Sequence, residues 1–114
     1  MASKLLTKQN LRKIYKAFIS LPPFNEYRMP APHKVNFRVI NTNDVLGYFH
    51  SEPNRIEIDV ANDTWLKLSE TMLHEMIHLC RCYNGHDDFT EHNAKFNIFA
   101  KRICDIYNFN LKEF

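Results

Sequence analysis

The stretch Thr64-Trp65-Leu66-Lys67-Leu68-Ser69-Glu70-Thr71-Met72-Leu73-His74-Glu75-Met76-Ile77-His78-Leu79-Cys80-Arg81-Cys82-Tyr83-Asn84-Gly85 decides how the rest of the chain is arranged. Its apolar residues Leu66, Leu68, Met72, Leu73, Met76, Ile77, Leu79 and Cys80 recur at helical spacing and cover more than one face, the pattern of a helix buried on several sides. Asp63 or Thr64 can cap its start, and Asn84-Gly85 supply the residue types that tolerate the left-handed turn ending a helix. A helix over 64–83 follows, and a helix so apolar needs neighbours on several sides.

Those neighbours are read outward from it. Residues 4–20 form an N-terminal helix with Leu11, Ile14, Tyr15 and Phe18 on one stripe, stopped by Pro22-Pro23. Residues 24–33, with Pro30 and Pro32, read as an irregular crossing segment. Strands are expected over 34–40 (Val35, Phe37 and Val39 on one face), 45–50, and 55–60 (Ile56, Ile58 and Val60 inward; Arg55, Glu57 and Asp59 outward). Turn-forming residues at 41–44 and 51–54 make a three-stranded antiparallel meander the simplest sheet. A last helix spans about 89–108, with Asp88-Phe89-Thr90-Glu91 resembling a capping box and a stripe of Phe96, Phe99, Ile103 and Ile106. Extended one step back, that stripe reaches His92, which should point inward. The fold class is therefore α+β, one domain over 1–114.

Composition narrows the function. The 114 residues are 45% hydrophobic with 9 Phe, 5 Tyr and 1 Trp, enough for a core and unlike a disordered chain. With only Gly47 and Gly85, no glycine-rich phosphate loop can be built. Residues 1–30 carry six Lys or Arg against Glu26, a net of +5, whereas residues 51–92 carry nine acids against three bases, a net of −6. The first segment is a candidate surface for DNA or another acidic partner, or simply a solvated helix face. Cys80, Cys82 and Cys104 are odd in number and lack metal-ribbon spacing, so they read as core fillers in a reducing compartment. No apolar run is long enough to cross a bilayer and no targeting pattern stands at the start, which leads to the expectation of a cytoplasmic protein with no membrane partner, inside a host cell if the source is viral.

The chemistry lies in His74-Glu75-Met76-Ile77-His78, an H-E-x-x-H pattern. Four residues turn a helix by about 400°, so the two imidazoles stand on one face and can share a divalent ion. Glu75 lies beside them as the candidate general base for a water molecule. Burying Glu75 without a positive partner is costly, and a metal supplies that charge. A catalytic zinc takes a third protein ligand. Metzincin spacing would need Gly and His where Arg81 and Asn84 stand, which excludes that arrangement. His92, on the inward stripe, is the leading candidate; His86, Asp87, Asp88 and Glu91 remain alternatives.

Thr71-Met72-Leu73-His74-Glu75-Met76-Ile77-His78, then Gly85-His86-Asp87, then His92-Asn93-Ala94-Lys95-Phe96, resembles the SprT-like (Spartan-type) zinc metallopeptidase family. Gly47-Tyr48-Phe49 and the strand Ile56–Val60 are similar to the hairpin that precedes the family's active helix, so the resemblance covers roughly residues 35–107. Asn93 stands where the family usually has Gly, and no zinc ribbon is present in the 114 residues. The resemblance implies a minimal zincin-like fold, Zn2+ held by His74, His78 and His92, Glu75 as catalytic base, and proteins bound to DNA as substrates. The expected function is thus a zinc-dependent endopeptidase acting on a protein or peptide. Two other readings are a non-catalytic zinc-stabilised module binding through Lys8, Arg12, Lys13 and Lys16, and a metalloenzyme acting on a non-protein amide. For an oxyanion donor the sequence offers Tyr48, His50, Tyr83, His86 and Tyr107 without distinguishing among them, and it leaves the oligomeric state open.

Overall fold

The computed structural model describes residues 4–114. Helix α1 spans Lys8–Ile19, and the Thr7 side chain accepts from the Asn10 N–H at 3.1 Å to cap it. It starts later than expected because Thr7 offers that cap and residues 4–7 turn instead. Leu11, Tyr15 and Phe18 are buried. The Tyr15 ring packs 5.5 Å from Phe37, and its hydroxyl donates to the Pro30 carbonyl at 2.7 Å. Two short 3-10 turns, Phe24–Glu26 and Pro32–Lys34, fill the proline-rich crossing.

Strands β1 (Asn36–Ile40), β2 (Gly47–His50) and β3 (Arg55–Asp59) form one sheet in the order β1-β3-β2. β2 pairs antiparallel with β3, as expected of a hairpin. β1 pairs with β3 instead of β2, and parallel, so the sheet is mixed and the expected antiparallel meander is corrected. Residues 41–46 carry the chain across the end of β3 to the far edge, and β3 returns through the middle. β3 holds the most apolar pair, Ile56 and Ile58, both fully buried, and the middle position satisfies its backbone on both sides. Asp59 is the second correction. It is buried rather than outward, because its carboxylate accepts from the Thr42 N–H at 2.8 Å and the Ala61 N–H at 2.9 Å and so pins the crossing loop. Those backbone bonds hold its pKa below the usual value.

Helix α2 spans Trp65–Tyr83, with Thr64 as its cap and Gly85, at φ 83°, ending it. It contacts β2, β3 and helix α3, which runs over Ala94–Tyr107. Leu68, Met72, Leu73, Met76, Ile77 and Leu79 are fully buried at the centre of the core; Leu66 is exposed. α3 begins five residues later than expected. Its cap is Asn93, whose Oδ1 accepts from the Phe96 N–H at 3.3 Å, while Asp88 is drawn to Arg81 instead of capping. Phe96, Phe99 and Ile103 are buried as expected, and Ile106 is exposed. The whole is an α+β domain of three helices and a three-stranded sheet among the described residues.

Candidate metal centre

α2 presents His74 and His78 one turn apart, and the connection before α3 presents His92 to both. His92 Nε2 lies 3.2 Å from His74 Nε2 and 3.1 Å from His78 Nε2. The ligand atoms of the three lie within 4.8 Å of one another, close enough to bind a metal ion. An ion with metal–nitrogen bonds of about 2.0–2.1 Å in a tetrahedron holds its nitrogens roughly 3.3–3.4 Å apart, so the spacing suits one. Phe96, from the first turn of α3, lies against all three rings at centroid distances of 5.0, 5.1 and 4.6 Å.

The outer nitrogens decide what the inner ones can do. His74 Nδ1 lies 2.9 Å from the Phe114 carbonyl oxygen, and His78 Nδ1 lies 2.7 Å from the Phe89 carbonyl oxygen. A carbonyl only accepts, so each Nδ1 carries the proton and each Nε2 turns a lone pair inward. A single proton on His92 Nε2 can serve only one of its two short contacts. The remaining lone pairs are free to bind a cation. Burial, then the neighbouring His78, lowers the pKa of His74 to about 4, and burial lowers that of His78, so both imidazoles are uncharged near neutrality.

Glu75 is buried, and burial alone raises its pKa to about 8. Together with His74 it lines a cleft of about 640 Å³ whose other walls include Val45, Leu46, Gly47, Leu66, Thr71 and Phe114. Asn62, fully buried, holds one wall in place. Its amide donates to the carbonyls of Leu46 at 2.8 Å and Asp59 at 2.9 Å, and its oxygen accepts from the Thr71 hydroxyl at 2.6 Å. No family model, no curated protein and no solved structure matches the chain. The site is therefore read from its own geometry.

Of the candidate third ligands, only His92 joins His74 and His78. His86, Asp87 and Glu91 stay out of the cluster, and Asp88 pairs with Arg81. His92 arrives by a different route from the one expected. It is exposed and lies two residues before α3, not on a buried helical stripe. None of Tyr48, His50, Tyr83, His86 and Tyr107 lines the cleft beside Glu75; the Tyr107 hydroxyl donates to the Pro22 carbonyl, and His50 lies 3.1 Å from Glu57. Sequence reasoning missed the two carbonyls that fix the tautomers, of Phe89 and Phe114, for which no residue pattern exists. It also passed over Arg81, whose signal was a charge inside an otherwise buried apolar run.

Proposed function

We propose that this chain is a zinc-dependent endopeptidase, with Glu75 as general base and His74, His78 and His92 as the ligands. The observation that carries the reading is the convergence of three imidazole nitrogens beside a buried carboxyl that faces an open cleft. Three imidazoles are a set that zinc accepts with a position left open. When bound there, the ion supplies Lewis acidity, polarising a peptide carbonyl and acidifying water. A doubly charged cation close by also opposes the burial of Glu75 and favours its ionised form.

Glu75 then takes a proton from the attacking water at a carboxylate oxygen. As the carbon–nitrogen bond breaks, it gives that proton to the departing amine nitrogen. β2 lies at the sheet edge with one side unpaired by β1 or β3, and its Gly47 lines the cleft. An extended peptide can add to that edge by main-chain pairing while the apolar wall receives a side chain. Exposed Lys4, Lys8, Lys13 and Lys16 offer a basic surface to a substrate carried on DNA. Arg12 is not part of that surface: it is half-buried, with Nε 3.4 Å from the Pro32 carbonyl and its guanidinium 5.7 Å from the Phe37 ring centre.

The test compares wild type with Glu75→Gln on casein and histone, with and without DNA, with zinc content measured in both proteins. Glu75→Gln is expected to keep its zinc while cleavage falls by about 10²–10⁴-fold. Equal cleavage by the two would remove Glu75 from the mechanism. A zinc-loaded wild type that cuts nothing would favour the non-catalytic module.

A further inference from the structure

His92 is the one ligand that no helix or strand carries, and it is exposed. Something outside its own backbone must set its position. Arg81 lies on α2 beyond His78 and is fully buried. Its NH1 donates to the Glu91 carbonyl at 3.0 Å, and its NH2 lies 2.8 Å from Asp88 Oδ1 in an ion pair off the hydrogen-bond axis. The other Asp88 oxygen accepts from Asn93 Nδ2 at 2.7 Å, and Asn93 caps α3. Arg81 thus holds the residues on both sides of His92, Glu91 directly and Asn93 through Asp88. The same connection carries Phe89, whose carbonyl fixes the proton of His78.

We infer that Arg81 is a positioning residue for the metal centre, setting the place of His92 and, through Phe89, the tautomer of His78. The inference rests on reading the three histidines as a metal site. Stability alone does not account for a buried cation at this position. Among the described residues its Nε has no hydrogen-bond partner, and a buried ion pair is often replaced by apolar groups at no loss of stability. What an apolar side chain cannot do is hold a carbonyl and a carboxylate at once.

The experiment titrates Zn2+ against a chromophoric chelator, records the Co2+ absorption spectrum, and follows amide exchange over residues 86–93 in the metal-free protein. Wild type, Arg81→Met, the double variant Arg81→Met/Asp88→Asn and His92→Ala are compared. The double variant leaves no carboxylate unpaired and keeps an acceptor for Asn93, so it guards against simple misfolding. Both Arg81 variants are expected to melt cooperatively, to bind Zn2+ about 10–100-fold more weakly, to show an altered Co2+ spectrum, and to exchange faster over 86–93. Affinity within twofold of wild type and unchanged exchange would overturn the inference, as would failure of both Arg81 variants to fold, which would make Arg81 a residue of the fold. If His92→Ala weakens binding while the Arg81 variants do not, only the positioning role falls. If His92→Ala binds as wild type does, the metal centre falls with it.

Discussion

Glu75 and His74 are neighbours in sequence, and burial moves them in opposite directions. Glu75 rises from 4.5 to about 8 and His74 falls from 6.5 to about 4. In the metal-free protein the stability tied to protonated Glu75 is complete below pH 4.5 and is lost as pH rises toward 8. The stability tied to neutral His74, which His78 reinforces, is complete above pH 6.5 and is lost as pH falls toward 4. The two slopes oppose each other from pH 4.5 to 6.5, and Glu75 acts alone of the pair from pH 6.5 to 8. Denaturant unfolding of the metal-free protein is expected to show a loss on the order of 2 kcal/mol across that upper window, and Glu75→Gln a nearly flat profile. A flat wild-type profile would mean that Glu75 is not desolvated. At this scale the sequence was informative where chemistry has a fixed period: His74, Glu75 and His78 follow from helical spacing alone. His92 was found by extending a stripe that does not reach it, since the chain leaves the helix at Asn93 and a tertiary clamp does the placing.

At Gly47, β2 lies against α2 and β3 with no room for a side chain. A Cβ there would lie 2.7 Å from Thr71 Cγ2, 3.0 Å from the Glu57 carbonyl oxygen and 3.2 Å from Glu75 Cγ. Two contacts are side-chain atoms of α2 and one is backbone of β3, so β2 must shift against both neighbours to admit a methyl group. Gly47→Ala is expected to cost about 1–3 kcal/mol in denaturant unfolding and to lower cleavage further by displacing Glu75. An unchanged midpoint would show that β2 yields freely. Elements were legible in the sequence in proportion to how local their determinants are. α2 was read to within a residue because Thr64 and Gly85 mark its ends. The start of α3 was misplaced because Asp88 and Glu91 fit a capping pattern while Arg81, far back on another helix, claims Asp88. The partner of β1 was out of reach for the same reason: alternation reports which face is buried, not which strand lies alongside.

For the whole molecule, an ion bound by one helix and the connection that follows it is a cross-link present only in the folded state. Zinc at a thousand times its Kd is expected to add about 4 kcal/mol, so chelation should lower Tm by roughly 10–20 °C. His92→Ala should abolish that difference, and a Tm indifferent to chelation in wild type would show that the histidines hold no ion. The charge asymmetry seen in the sequence persists in the fold, with basic α1 packed on β1 and the acidic stretch around α2 and the cleft. The carbonyl of Phe114 rests on His74, which gives position 114 a practical meaning. Anything joined after it, further chain or an affinity handle, leaves the domain beside the histidine cluster. A polyhistidine tail fused there would bring competing imidazoles to the ion, so protein prepared for metal analysis should carry its tag at the opposite terminus.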